Sequence, residues 1–235
     1  MYLDKILAVI PARGGSKAIK NKNIIDLCGQ PLIEYSINEA LKVDRFTDVV
    51  VSTDDLQIAE LARNFGALVP FMRPKELAED LSPSALVIKH ALQFMEKEKK
   101  SEYDAVIMLQ PTAPLRMALH IEETIDMLEE NNCDSVVSIV SVEGYHPFRM
   151  KRMIDNRLIN FIDQGYWDMR PRQVLPPVYI RNGAIYLNKT EVIIDQEQLI
   201  GSHCLGYLMS PEDSVNIDSY LDLTLAEALL KERTS

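Results

Sequence analysis

Residues 9–23, VIPARGGSKAIKNKN, set Arg13, Lys17, Lys20 and Lys22 around the pair Gly14-Gly15 with no acid among them. The whole chain carries a formal net charge of -10, so this basic loop stands out against an acidic background. Such residue types suit an anion. Glycine lets backbone N–H groups come close to a ligand and form a concave nest. Arginine grips phosphate oxygens with a planar fork, and lysine adds a point charge. The spacing excludes two common phosphate loops. GxxxxGK[ST] is absent, since Gly14-Gly15-Ser16-Lys17 is too short, and GxGxxG is absent too. Taken alone, the loop also reads as a solvated turn after a strand.

Other chemistry is sparse. Cys28, Cys133 and Cys204 lie far apart, form no CxxC and are odd in number, which predicts reduced thiols in the cytoplasm. His90, His120, His146 and His203 show no HxxxH pairing, so no transition-metal site is expected. A pI near 4.9 argues against bulk nucleic-acid binding. The opening MYLDKILAVIP is too short for a membrane span and lacks a signal-peptide cleavage pattern. With 235 residues, 47% of them hydrophobic, the chain has material for a sizeable core.

Apolar runs alternate with helical patterns. Strands are expected at 5–10, 48–53, 67–71, 104–111, 134–142, 182–189 and 203–210. Helices are expected at 30–42, at 54–66 with Asp54 and Asp55 in the first turn and Gly66 as the stop, and at 82–100 with Ser82 as N-cap and Pro83 at the first helical position. Two more are expected at 119–132 and, as an amphipathic closing helix, at 217–232. This alternation predicts an α/β fold with a mostly parallel sheet between helical layers. Ligand should then lie at the carboxyl ends of the strands. The basic loop, STDD (52–55) and LQPTAPLR (109–116) all follow strands and belong on that rim. Residues 143–181 break the rhythm. They crowd Tyr145, Phe148, Tyr166, Trp167 and Tyr179 with prolines and arginines, and read as an excursion from the sheet.

The ordered set IPARGGSKAIKNKN, VVVSTDD, RPKELAED, LQPTAPLR, RNGAIY and DSVNIDSYLDL resembles the cytidylyltransferases that activate nonulosonic acids. These are the CMP-sialic acid synthetases and their legionaminic and pseudaminic acid relatives. CMP-Kdo synthetases are more distant, with Leu-Pro-Gly-Lys-Pro where this chain has IKNKN. The resemblance implies a Rossmann-like, three-layer nucleotidyltransferase domain over 1–235, with 143–181 as a dimerisation flap. It implies CTP binding by Ala12, Arg13, Gly14, Gly15, Ser16, Lys17, Lys22 and Asn23. Arg13, Lys22 and Gln110 would serve catalysis, with Gln110 where sugar and nucleotide meet. Arg149, Arg172, Asn182 and Tyr186 would join Gln110 in holding an acidic nine-carbon sugar. The family's Asp-Ile-Asp for Mg²⁺ is Asn216-Ile217-Asp218 here, so Asp218 is the expected ligand and Asn216 a candidate beside it.

The implied partners are CTP, a sugar acid and a second copy of the chain, with no nucleic acid and no membrane. The implied reaction is attack of a sugar hydroxyl on the α-phosphate of CTP, with pyrophosphate leaving in line. Basic groups and Mg²⁺ stabilise the growing charge. Bland readings stand beside these roles. Gln110 also fits a turn before Pro111, Tyr186 the core, Arg149 and Arg172 an exposed rim, and Asp218 the N-cap of the last helix. Activation of another acidic sugar such as Kdo is one alternative, and nucleotide sensing without turnover is another.

Overall fold

The protein is described by a computed structural model covering residues 2–233. In chain order it contains β1 (Ile6–Pro11), β2 (Asp26–Leu27), β3 (Gln30–Pro31), α1 (Leu32–Leu41), β4 (Phe46–Ser52), α2 (Leu56–Asn64), α3 (Ser84–Lys99) and β5 (Ala105–Leu109). There follow α4 (Ala118–Glu130), β6 (Ser135–Ser141), β7 (Lys151–Ile154), β8 (Arg157–Asn160), β9 (Tyr179–Lys189), α5 (Thr190–Ile194), β10 (Cys204–Leu208) and α6 (Tyr220–Arg233). The main sheet has six strands in the order β10-β6-β9-β5-β1-β4. Only β9 runs antiparallel to its neighbours.

Alternation along each strand builds two cores. Ile6, Ala8 and Ile10 of β1 face α1, α2 and α4 through Ile33, Ile37, Ile58, Ile121 and Ile125. Leu7 and Val9 face the opposite way, onto Ile88, Leu92 and Met95 of α3 and Ile193 of α5. The expected sheet between helical layers is therefore present. A third, smaller cluster joins Ile19 and Leu27 from the basic-loop region to Leu115, Ile217 and Leu223. It seats the loop against the C-terminal segment.

Three local expectations are corrected. The strand at 67–71 reduces to a single bridge between Leu68 and Val50, because Pro70 has no N–H to extend a ladder. Ser82 does not cap α3. Pro83 precedes the first helical residue with extended backbone, and the Ser82 hydroxyl donates to the Glu76 carbonyl at 2.8 Å. The closing helix is only weakly amphipathic: Leu223 and Ala226 are buried, while Leu221 and Leu225 are exposed.

The excursion leaves the sheet after β6 and returns at β9. It carries the β7–β8 hairpin, which does not join the main sheet. The two turn residues, Asp155 and Asn156, both have positive φ (48° and 62°), as a type I′ hairpin requires. The excursion is closed at its root by Val142 N–H donating to the Val178 carbonyl (3.2 Å) and by a 3.0 Å hydrogen bond between His146 Nε2 and the Pro176 carbonyl. Much of its apolar surface is uncovered. Met153 is 71% exposed, Met169 84% and Trp167 52%.

Candidate active site

Arg13, Lys22, Asn23 and Gln110 line one cleft at the carboxyl ends of β1 and β5, together with Arg73, Asp80, Ser82 and Thr112. The basic loop reaches this rim because β1 ends at Pro11 and Ala12 extends its pairing by one residue, its N–H donating to the Ser52 carbonyl at 2.9 Å. Ala12 is fully buried, so it anchors the loop. Asn23 is buried as well, and its Nδ2 donates to the Arg13 carbonyl at 2.8 Å. The Lys-Asn pair thus folds the loop back on its own start.

The glycines divide the work. Gly14 packs against α2's cap: a Cβ there would stand 2.6 Å from Asp55 Oδ2. Its N–H donates to Asp54 Oδ1 at 3.1 Å, so it is not free for a ligand as a simple nest would have it. Asp55 caps α2 by accepting from the N–H groups of Gln57 and Ile58. Gly15 faces open space, and Ser16 beside it is half-buried.

An internal anion meets the basic groups. Asp80 accepts from Arg13 Nη2 at 2.8 Å and from Lys17. Those two hydrogen bonds hold the Asp80 carboxyl below its usual range. Arg73, 6% exposed, donates from Nε to Ser52 Oγ at 3.0 Å and from Nη2 to the Ser52 carbonyl. Burial pushes its guanidinium down to about 10 despite nearby Asp54, and Arg13 adds to the fall; it remains a cation near neutrality. Arg73 and Asp80 line the cleft without being singled out by the sequence. Both lie in RPKELAED, but nothing in that string says which side chains turn inward.

On the far wall, Lys22 Nζ donates to the Ile217 carbonyl (3.0 Å) and to Asp218 Oδ1 (2.9 Å). Asn216 Nδ2 donates to the other oxygen of Asp218 at 2.9 Å. Asp218 does not cap α6. Ser219 and Asp222 do that, with Asp222 Oδ2 accepting from the Asp218 and Ser219 N–H groups. Asn216 Oδ1 is buried without a partner. Among the described residues no group of three or more His, Cys, Asp or Glu side chains could hold a metal. The Asp218 carboxylate and the unpartnered Asn216 Oδ1 are oxygen donors of the kind that a sparsely held Mg²⁺ takes, with one or two protein ligands and a shell completed by water and phosphate.

Between these walls β9 bulges. Val137 of β6 pairs with Tyr186 and Ile139 with Arg181, so β9 carries the larger number of residues between the two pairs. Gly183 sits in the bulge at φ +79°, and a Cβ on it would stand 2.7 Å from Gln110 Oε1 and 3.6 Å from Asn216 Oδ1. Bulges re-aim side chains beside active sites. Here the bulge brings Gln110, Gly183 and Asn216 together.

Other expected sugar-binding residues fall elsewhere. Asn182 is buried, and its amide is committed to Ser138 Oγ, the Ala184 N–H, Ser214 Oγ and Met209 Sδ. Tyr186 packs in the core beneath α3, and burial pushes its phenol up. Arg149 donates to the Arg170 carbonyl at 2.8 Å. Arg172 pairs with Glu143 at 2.9 Å, and both line a separate hollow of about 320 Å³ at the flap root. One chain therefore gathers Arg13, Lys22, Asn23 and Gln110 on one cleft, whose lining does not include Ala12, Gly14, Gly15, Ser16 or Lys17, and leaves Arg149 and Arg172 outside it.

A family model described as Cytidylyltransferase matches residues 7–203. An N-acylneuraminate cytidylyltransferase of Escherichia coli is 34% identical over 233 residues, covering 97% of this chain and 53% of that protein. The chain thus spans about half the length of that relative. The pseudaminic acid cytidylyltransferase of Campylobacter jejuni is 33% identical, with 97% of both chains covered. The CMP-N,N'-diacetyllegionaminic acid synthase of Legionella pneumophila is 35% identical, again with 97% of both covered. Among solved structures, CMP:2-keto-3-deoxy-manno-octonic acid synthetase complexed with CTP superposes with a TM-score of 0.72 at 19% identity, covering 97% of this chain and 99% of that one. That likeness speaks to the fold. By the family match and the near-full-length relatives, this chain belongs to the cytidylyltransferase family.

Proposed function

We propose that the protein activates a nonulosonic acid of the sialic, legionaminic or pseudaminic type, transferring CMP from CTP and releasing pyrophosphate. The observation that carries this reading is the convergence of Arg13, Lys22, Asn23 and Gln110 on one cleft at the strand ends. The names of the near-full-length relatives supply the substrate class.

A hydroxyl of the sugar attacks the α-phosphate, and charge grows on the departing pyrophosphate. Arg13, with Lys17 beside it, stabilises that charge once the triphosphate takes the place of Asp80. Arg73 adds a fixed cation to the cleft wall. Lys22 links the loop to Asp218, so one side chain joins the nucleotide loop to the carboxylate that would hold the metal. Asp218, with Asn216 Oδ1 beside it, would hold Mg²⁺, which when bound neutralises phosphate charge. Gln110 orients the sugar against the phosphate, and positioning of this kind supplies much of the rate in phosphoryl transfer.

The flap completes the site in a homodimer. Its uncovered apolar residues suit an interface core, and Arg172 from a second copy would pair with the sugar carboxylate. A place in the cytoplasm agrees with three free cysteines. A second reading, nucleotide sensing without turnover, rests on Asn216 standing where the resembled family has a carboxylate.

A pyrophosphate-release assay with CTP, Mg²⁺ and a panel of acids tests the proposal. Release that requires a nine-carbon acid is expected. Release with Kdo alone points to the other sugar class, and CTP binding without release from any acid points to sensing.

A further inference from the structure

Arg116, the last residue of LQPTAPLR, lies under the cleft floor and is 1% exposed. None of its hydrogen bonds goes to a carboxylate. Nη1 donates to the carbonyls of Gln110 (3.2 Å) and Ala184 (2.9 Å), and Nη2 donates to Ser36 Oγ (2.7 Å). Ser36, also 1% exposed, donates its own hydroxyl hydrogen bond to the Gln110 carbonyl at 3.3 Å. Nε has no partner. Burial pushes the guanidinium down to about 10, with Glu39 partly opposing.

A buried cation held only by neutral acceptors is a costly feature. Buried ions can often be replaced by apolar groups of similar size without loss of stability, so stability alone is a poor reason to keep one here. What Arg116 does is geometric. One planar group ties α1 (Ser36), the end of β5 (Gln110) and the β9 bulge (Ala184) together. The same bulge puts Gly183 directly against the Gln110 amide oxygen. Arg116 thereby sets the distance between Gln110 and the bulge from below.

We propose that Arg116 is a positioning residue: through the Gln110 carbonyl it fixes where the Gln110 side chain meets sugar and phosphate, and it touches neither substrate itself. This rests on the cytidylyltransferase reading above. Its side chain can act on turnover without acting on nucleotide affinity, because Arg13, Lys22 and Asn23 are held by other contacts.

The test is a double-mutant cycle on pyrophosphate release, with CTP affinity measured by calorimetry. Arg116→Lys should lower kcat by up to roughly 10²-fold, the scale of a misplaced reacting group, with the Kd for CTP held within about twofold. Ser36→Ala, which removes the bridge to Gln110 with little change in volume, should lower kcat about tenfold, and it carries the test if the arginine variant does not fold. In a Gln110→Ala background each substitution should add less than about twofold. Losses that multiply in the double variants, a Gln110→Ala enzyme with unchanged kcat, or CTP affinity falling in step with kcat would each overturn the inference while leaving the proposed function standing. A wild-type protein inert with every acid would overturn both.

Discussion

Two sets of basic residues, in the cleft and on the flap, carry similar chemistry on different supports. In the cleft, Lys22 has a side chain only 15% exposed and is bonded to the segment that Ile217 anchors in a buried cluster. Arg13 is about a third exposed, Asn23 bonds its carbonyl, and Asp80 pairs with its guanidinium. On the flap, Arg172 and its partner Glu143 are both more than half exposed, and the hairpin beyond them leaves Met153, Ile154 and Leu158 open to solvent. Side chains locked by packing can hold a reacting group in place, whereas exposed ones need a further surface to lock them. The cleft side chains are therefore held by packing and hydrogen bonds within the chain, and on the proposed reading the flap is the side that a second copy would cover.

The largest predicted effect lies on the supported side. Arg13→Ala should lower kcat/KM by roughly 10²–10³, the usual cost of losing one such donor. Its melting temperature should hardly move, since a partly exposed ion pair contributes little stability. Near-normal turnover of the folded variant would remove Arg13 from the mechanism. Next comes Asp218→Ala, which should cost about 10²-fold in Mg²⁺-dependent turnover. Asn216→Asp should keep activity or lower the Mg²⁺ needed for half-maximal rate, because a carboxylate binds Mg²⁺ better than an amide. A Mg²⁺ titration that is identical in all three proteins would contradict both assignments.

Smaller effects probe the flap and the internal anion. Replacing Ile154 and Leu158 together by lysine should shift a dimer to monomer in light scattering and cut turnover about tenfold by loosening the sugar side. CTP affinity should stay the same, and a parallel fall in CTP affinity would erase the contrast between the two regions. Smallest is Asp80→Asn. Removing the anion that occupies Arg13 and Lys17 should tighten CTP binding about two- to fivefold, the scale of a surface ion pair. Weaker CTP binding in this variant would mean that Asp80 organises the loop.

Much of the sheet is legible in the sequence because buried parallel strands read as unbroken apolar runs, such as VVVS and AVIML. The order of the rim motifs also places the basic loop and Gln110 on one edge. What escapes has physical causes. The β9 bulge is hidden because Gly183 looks like an interruption, although its positive φ is what brings the backbone under Gln110. The hairpin carries a turn signal in Asp155-Asn156, but its flanking residues have no buried face to impose alternation. Arg116 looks like a rim residue because arginine is seldom buried. Asn182 and Tyr186 lie in a motif that resembles a binding segment, yet their atoms are committed to hydrogen bonds and to the core.

The proposed division of the site between two chains is tested most directly by mixing Arg13→Ala and Arg172→Ala proteins, each inactive alone, under conditions of subunit exchange. If Arg172 serves the partner's cleft, each mixed dimer holds one site with both arginines and one with neither. Random exchange then restores about a quarter of the wild-type rate. Pyrophosphate release that stays at the level of the separate variants, with mixed dimers verified by native mass spectrometry, would contradict the sharing of sites between chains.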